Sequence, residues 1–436
     1  MNTKEKAFDY RMTERAFLFA FIALRLLLLA RTFGQYLGYD VRGHLQVVST
    51  ISWLHPFVSP HTLYYAVHPP LGFLLAHTLT LFGISPLLAA QMLACVASFG
   101  AFFFMRLTLR SLNLLHTVPG IVFLYLGASI PMQIYLSIIV GLDVFVLSGM
   151  SMVLFFSVQI FWKPQKPLPL FLHAVLVIGT LLLATLFKTS GFPLLPIPFL
   201  VFFFSEDRTW KRFLMAMVTI LIPFFLSLFF LYERFYLREH TFFFSTAGLF
   251  IWVDLFRMSV EWRDAHPFLF SLSYIFPIRE SVPRLMPTWN SFWFMYDREF
   301  ASIFTAFLGV FYNSFAAVFC IFGVIAVFLQ RLKPDCWHRF GAIIFSCTIV
   351  QVFCLVAYMW SMPLFGYLAN KGVYIASASW GIAYLLTVAA ISLFTLMKQN
   401  KPPVREVEQY VLSGTALFMV INHLMPDIAG IPNSFF

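Results

Sequence analysis

Six ionisable residues at widely separated positions have side chains suited to acid–base chemistry and to anion binding. Asp40 and His44 lie in the stretch GYDVRGHLQ, and a carboxylate in such a setting can take a proton from a hydroxyl group. Cationic side chains stabilise negative charge that develops on a leaving phosphate. The six residues are Asp40, His44, His68, Asp143, Lys188 and Lys371.

The composition shows that these residues belong to a membrane protein. The chain has 436 residues, of which 60% are hydrophobic and only 11% are charged, and its mean hydropathy is +0.83. Soluble domains carry about 25% charged residues, so this class is excluded. The net charge of +10 is scattered between apolar segments, which argues against nucleic-acid binding. The five cysteines form no CxxC pair and are interpreted as buried small hydrophobes.

Apolar runs long enough to cross a bilayer recur along the whole chain and predict about eleven membrane-spanning helices. The predicted spans are 16–34, 88–107, 118–137, 143–162, 169–187, 191–205, 213–232, 301–330, 340–361, 372–397 and 408–425. Segment 67–83 is shorter and is interrupted by His68, Pro69, Pro70 and His77. It is predicted to lie in the membrane interface instead of crossing.

The distribution of basic residues predicts the orientation of these spans. With the N-terminus in the cytoplasm, the short outer loops contain only Arg42, Lys188 and Lys371, as the positive-inside rule requires. Counting 67–83 as a span would place every later loop on the opposite side of the membrane. In the predicted topology, the cytoplasmic segments contain Lys4, Lys6, Arg11, Arg15, Arg106, Arg110, Lys163, Lys166, Arg208, Lys211, Arg212, Arg331, Lys333, Arg339, Lys398, Lys401 and Arg405.

This topology predicts one membrane domain, 1–436, in which the six ionisable residues share the outer face. Its parts are a cytoplasmic N-terminus (1–15), a first outer loop with interfacial helices (34–87) and a long outer loop (233–300). Ionisable groups at membrane depth are expensive, so their default interpretation is functional. The alternative for Asp143 is an N-cap of its helix.

The order of these motifs resembles a known family. Asp40 is followed by HPPLG and LFG, then by Asp143 at the start of a span, and then by K-x-x-G-x-P-x-x-P from Lys188. This order resembles the GT-C superfamily of glycosyltransferases, in particular the branch of protein O-mannosyltransferases and the lipid A aminoarabinose transferase. The resemblance covers roughly residues 15–205 and continues weakly to about 385.

The resemblance implies roles for individual residues. It places the catalytic carboxylates at Asp40 and Asp143, although Val41 stands where the family's usual Asp-Glu pair has its glutamate. The aminoarabinose branch has an acid and a lysine where this chain has Val67 and His68, which argues against that sugar. The residues implied to bind the donor phosphate are His68, Lys188, Lys371 and Arg42. Those predicted to bind substrate are His44, Tyr65, Trp293 and Arg298.

The implied activity is transfer of a sugar from a polyprenyl-phosphate donor to an acceptor hydroxyl at the periplasmic or luminal face. Asp40 would act as the general base, with inversion at the anomeric carbon. The partners would be the lipid-linked donor, membrane lipids, and a lipid, glycan or protein acceptor, in a bacterial inner membrane. No cofactor is required; the alternative is a divalent cation held by Asp40, His44 and Asp143.

Several alternatives stay open. His44 would bind substrate or only hydrogen-bond Asp40, and the tryptophans of 233–300 would line an acceptor site or belong to an interfacial aromatic belt. A lipid-linked glycan ligase or polymerase would also use a basic outer loop. A secondary transporter would place ionisable residues at the bilayer midplane and show internal repeats. Arg25 is the mid-span exception here, and no repeat is found.

The predicted topology can be tested with reporter fusions. We expect a fluorescent protein fused to the N-terminus to remain in the cytoplasm, and alkaline phosphatase fused after residue 436 to be active outside it. A C-terminal fusion that is active only in the cytoplasm would contradict the predicted number of crossings.

Overall fold

A computed structural model describes residues 9–37, 41–59, 63, 66, 68–163, 167–231, 261–268, 303–329, 335–361, 376–397 and 404–429. Within these ranges the chain is helical and contains no β-strand. The predicted all-α class is therefore confirmed. The division into a single domain stays a prediction.

From Leu71 to Leu231 the helices follow one another with short connections. Thr189–Leu194 forms a 3₁₀ helix. The α-helices are α1 (Tyr10–Thr32), α2 (Val41–Thr50), α3 (Leu71–Thr80), α4 (Pro86–Ser111), α5 (Val118–Ala128), α6 (Pro131–Leu136), α7 (Asp143–Phe161), α8 (Pro167–Phe187), α9 (Ile197–Phe203), α10 (Trp210–Leu231), α11 (Ile303–Leu329), α12 (Cys336–Ser361), α13 (Ser379–Met397) and α14 (Val404–Ala429).

Six helical segments in the described part of the chain are long and apolar enough to cross a membrane. They correspond to α4, α7, α8, α10, α12 and the segment Ala376–Leu393, which includes most of α13. Shorter apolar helices lie beside them, including α3 and α5. These helices identify an integral membrane protein, while the total of eleven spans stays a prediction.

Polar contacts join α1 to α4 at three levels and fix these two helices antiparallel. At one end the Arg106 guanidinium donates to the Glu14 carboxylate at 2.7 and 3.0 Å. Near the middle, Arg25 Nη1 lies 3.4 Å from Ser98 Oγ. At the other end the side chain of Gln91 reaches the last turn of α1. The contacting residues have increasing residue numbers along α1 and decreasing residue numbers along α4. The two helices therefore run in opposite directions.

Gln91 connects the end of α1 to the segment before α7. Its Oε1 accepts from the Gly34 N–H at 2.9 Å, and its Nε2 donates to the Gln35 carbonyl at 2.9 Å and lies 3.3 Å from that of Ile138. Gly34 has φ +82°, a backbone conformation that glycine adopts without strain. Gln91 is 1% exposed and Ile138 is also buried, so this bond satisfies a carbonyl that water does not reach.

The predicted continuous span 118–137 is wrong, because two helices, α5 and α6, occupy this segment. They are separated at Ser129 and Ile130. Ile130 has φ −59° and ψ 131°, the extended conformation imposed on a residue before proline, and Pro131 begins α6. The predicted span 191–205 is also interrupted, because the 3₁₀ helix containing Pro193 precedes the short helix α9.

The prediction of a short helix in segment 67–83 is confirmed by α3. It has ten residues, so it is about 15 Å long and too short to cross a hydrocarbon core of about 30 Å. Its place in the interface stays a prediction. At one end of the bundle α1 and α8 finish and α4 and α7 begin. We call this end the site end.

The Gln91 contacts give a prediction about stability. Gln91→Leu leaves the buried Ile138 carbonyl without this partner and also removes the part-buried bond from the Gly34 N–H, and a buried group without a partner costs about 1–3 kcal/mol. We expect a clearly lower Tm in detergent by intrinsic fluorescence. Gln46→Leu, at an exposed position on α2, is the matched control and should leave Tm within about a degree or two. Equal losses in both variants would contradict the role given to Gln91.

Candidate functional site

A buried ion pair lies at the site end of the bundle. Lys188 Nζ donates to both carboxylate oxygens of Asp143, at 2.7 and 2.6 Å. Each side chain is 8% exposed. Two full charges so far from water are stable only when paired. The sequence predicted both residues for the site but did not predict that they bind each other.

Local backbone structure places the two charges opposite one another. Asp143 is the first residue of α7, where a carboxylate is favoured by the positive end of the helix dipole. The N-cap is Leu142, so the alternative of Asp143 as the N-cap is wrong. Lys188 has extended backbone between α8 and the 3₁₀ helix. Gly191 allows this turn, because a Cβ there would lie 2.6 Å from the Ala184 carbonyl.

Aromatic packing holds the ion pair in place. Phe145 and Phe187 stack with ring centroids 4.2 Å apart and an interplanar angle of 2°. One ring comes two residues after Asp143 and the other directly precedes Lys188. Gly72 of α3 packs against the same region, since a Cβ there would lie 2.4 Å from Leu142 Cδ2 and 3.2 Å from Phe187 Cδ1.

The two short helices of the first loop pack together over this end of the bundle. His77 Nδ1 lies 3.1 Å from the Val48 carbonyl oxygen and so joins α3 to α2. Val47, Val48, Phe73 and Leu74 form a small apolar cluster that also includes Leu142 and Ala89. The predicted helices of the first loop are therefore present and are attached to the residue that precedes Asp143.

His44 and His68 approach each other at the surface of this cluster. Their ring centroids are 5.7 Å apart, and the His44 ring meets Phe73 edge-on at 5.5 Å. His44 is buried, whereas His68 is half-buried and Arg42 is exposed. The structure thus brings together two histidines that lie 24 positions apart in the sequence.

A small cleft opens beside His44 and is partly open to solvent. The cleft is mainly apolar, and its floor is the segment leading into α7. Its lining includes His44, Gly72, Phe73, Ala76, Leu142 and Phe145.

Several predicted site residues lie outside the described residues. The described residues nearest to Asp40 in the sequence are Leu37 before it and Val41 after it. The Val140 N–H lies 3.4 Å from the Leu37 carbonyl, and Val41 packs against the Val140 side chain. The predicted residues outside the described ranges are Asp40, Tyr65, Lys371, Trp293 and Arg298. Their roles stay predictions, as do those of the described site residues.

The alternative of a divalent cation held by Asp40, His44 and Asp143 stays a prediction. Within the described ranges no three His, Cys, Asp or Glu side chains converge as metal ligands. Both oxygens of Asp143 accept from the Lys188 ammonium. Asp40, the remaining residue of the predicted set, lies outside the described ranges.

Sequence reasoning missed the residues that support the ion pair. Phe145 and Phe187 are two of 56 phenylalanines, and no pattern marks them as a stacked pair. Gln91 is a polar residue within an apolar run, which is a signal that could have identified it. Gly72 was quoted as part of HPPLG, but its close contact with Leu142 and Phe187 depends on tertiary packing.

Together these features define a polytopic membrane protein in which a buried ion pair and two neighbouring histidines lie at one end of a helical bundle, beside two short helices. Archaeoglobus fulgidus oligosaccharyltransferase, in complex with Zn and sulfate, has the same fold, with a TM-score of 0.52 at 14% identity. The match covers 97% of this chain and 54% of the archaeal chain, so this protein spans about half the length of that relative.

ArnT from Cupriavidus metallidurans, bound to undecaprenyl phosphate, is also similar, with a TM-score of 0.45 and 16% identity over 96% of this chain and 78% of that one. The likeness to the archaeal oligosaccharyltransferase confirms the resemblance predicted from the sequence for the fold. No protein-family model and no curated protein matches the sequence.

The ion pair predicts a stability change that depends on which partner is removed. Lys188→Met leaves the Asp143 carboxylate buried without its cation, which typically costs about 3–5 kcal/mol. Replacing both residues, with Asp143→Asn added, should recover part of this loss. Asp264→Asn, in an ion pair whose aspartate is 61% exposed, is the control and should cost less than about 1 kcal/mol. Additive losses in a double-mutant cycle, measured by urea or thermal unfolding, would contradict the pair.

Proposed function

We propose that this protein is an integral-membrane glycosyltransferase that moves a sugar from a polyprenyl-phosphate donor to an acceptor hydroxyl at the outer face of a membrane. The observation that carries this proposal is the buried Asp143–Lys188 pair beneath the first-loop helices. Both residues belong to the series of motifs whose order resembles that of polyprenyl-phosphate-dependent transferases. The fold shared with an oligosaccharyltransferase supports the same class of reaction.

Lys188 would stabilise the phosphate that leaves the donor. A lysine in this place supplies a compact positive charge, and Asp143 holds it where α7 begins and α8 ends. His68, Arg42 and Lys371 would complete the cationic surface around the phosphate. Arg42 is exposed on α2, where it can meet a charged headgroup. In this assignment Asp143 positions Lys188, and the catalytic role predicted for Asp143 would be secondary.

Asp40 would be the general base. Its carboxylate would accept the proton of the acceptor hydroxyl while that oxygen forms a bond to the anomeric carbon. The bond between the anomeric carbon and the phosphate oxygen breaks at the same time, and its electron pair leaves with the phosphate. Displacement from the opposite side inverts the anomeric centre. The contacts of Leu37 and Val41 with Val140 support this assignment, because Val140 lies three residues before Asp143.

The remaining predicted residues would bind the sugar and the acceptor. His44 lines the cleft beside α3, next to Phe73, and an aromatic face with a polar ring suits a sugar. Tyr65, Trp293 and Arg298 would contribute from the loops. We place the protein in a bacterial inner membrane with this face toward the periplasm, in agreement with the distribution of basic residues.

The proposal is tested by transfer of radiolabelled sugar from a panel of polyprenyl-phosphate donors to a membrane-lipid extract. We expect transfer by the wild type and a loss of about 10²–10⁴-fold in Asp40→Asn, since this is the usual contribution of a general base. Asp264→Asn, which changes an exposed aspartate, is the matched control and should transfer sugar like the wild type.

Three outcomes would count against the assignment. Equal transfer by wild type and Asp40→Asn would remove Asp40 as the base. Activity only with a preassembled lipid-linked glycan would identify a ligase or polymerase. No turnover of any donor by folded protein would overturn the transferase itself.

A further inference from the structure

The interruption between α5 and α6 creates a second polar site, distinct from the one at Lys188. Arg25 enters it from α1 and is 1% exposed. Its Nη2 donates to the Ala128 carbonyl at 2.8 Å and its Nη1 to the Gln133 carbonyl at 3.1 Å. The guanidinium carbon lies 5.1 Å from the centre of the Phe21 ring. Within the described ranges no carboxylate forms an ion pair with Arg25.

Helix α14 reaches the same interruption from the other side. Asn422 Nδ2 donates to the Ser129 carbonyl at 2.9 Å. The neighbouring His423 ring lies 6.0 Å from the Phe21 ring, nearly perpendicular to it. Phe21 therefore contacts both Arg25 and His423, while adjacent carbonyls at the end of α5 bind Arg25 and Asn422.

Four buried polar atoms remain without a hydrogen-bond partner here in the part of the chain that the structure describes. They belong to residues that are at most 3% exposed, and a buried polar atom without a partner is costly. Several such atoms around one helix interruption point to a shared ligand. The four are Arg25 Nε, Ser129 Oγ, Asn422 Oδ1 and His423 Nε2.

The hydrogen-bonding roles of these atoms define the chemistry of that ligand. Arg25 Nε can only donate. Asn422 Oδ1 can only accept, because its amide nitrogen faces a carbonyl. His423 Nδ1 lies 2.8 Å from the Met419 carbonyl, so Nδ1 carries the proton and Nε2 of the neutral ring accepts. Ser129 Oγ can do either.

We propose that at least one buried water molecule binds here, accepting from Arg25 Nε and donating to His423 Nε2 and Asn422 Oδ1. A neutral ligand with both donors and acceptors matches the set. An anion would face two acceptor atoms, and a metal cation would face the Arg25 charge. Internal waters typically make about three hydrogen bonds to buried groups that have no other partner. The water joins α1 and α14 across the interruption between α5 and α6.

The first test is a high-resolution map of the full chain in lipid nanodiscs. We expect a non-protein peak within about 3.5 Å of Arg25 Nε and of at least one acceptor. A site without such a peak, in a map that shows other internal waters, would overturn the proposal. We also expect equal Tm values in chloride and in gluconate; a Tm that depends on chloride would instead identify an anion site.

The second test uses X-ray footprinting, in which radicals generated from bound water label adjacent side chains. Met419 lies one turn before His423 on α14 and is 2% exposed, whereas Met105 is 0% exposed within α4. We expect Met419 to be labelled and Met105 to be protected. The labelling should be lost in His423→Leu and kept in His116→Leu, a change at an exposed histidine. Equal protection of both methionines in the wild type would overturn the proposal.

Discussion

A hydrocarbon core offers no water to polar groups, so every buried charge and every interrupted helix of this chain needs a partner inside the protein. Arg25 meets this constraint by donating to the carbonyls of Ala128 and Gln133, which are available because they lie in the last turns of α5 and α6. Lys188 meets it through Asp143. These two contacts join α1 to α5 and α6, and α7 to the end of α8. The same constraint therefore fixes both the packing of the bundle and the position of its charged site.

The arrangement favours a rigid site on a stationary bundle over alternating access. A mid-span arginine and a discontinuous helix are features expected of secondary transporters, in which carbonyls at a helix end bind a transported cation. Here the carbonyls at the end of α5 bind a guanidinium that is covalently attached to α1. At the site end, the Gln91 side chain hydrogen-bonds both to the start of the first loop and to the segment before Asp143. Groups that must meet a substrate are best held by such fixed elements.

The sequence predicted the helices better than their contacts. The span 143–162 matches α7 almost residue for residue, because bilayer thickness sets the length of an apolar run. The errors lie at Pro131 and Pro193, where proline breaks a run that hydropathy reads as continuous. The order of motifs brought Asp143 and Lys188 into one predicted site. It did not pair them, since 45 positions separate the two residues and several cations were assigned to the same face.

The ion pair addresses a problem that any site for a lipid phosphate must meet. A lysine buried deeply enough to stabilise a leaving phosphate has an uncompensated charge whenever the site is empty, and such a charge is costly. In the proposed function, Asp143 would compensate Lys188 in that state and keep the protein folded without its donor. The ammonium could then interact with an entering phosphate while staying near its carboxylate, because an ammonium can donate three hydrogen bonds. A fixed partner of this kind would keep the lysine in place through each cycle of donor binding and phosphate release.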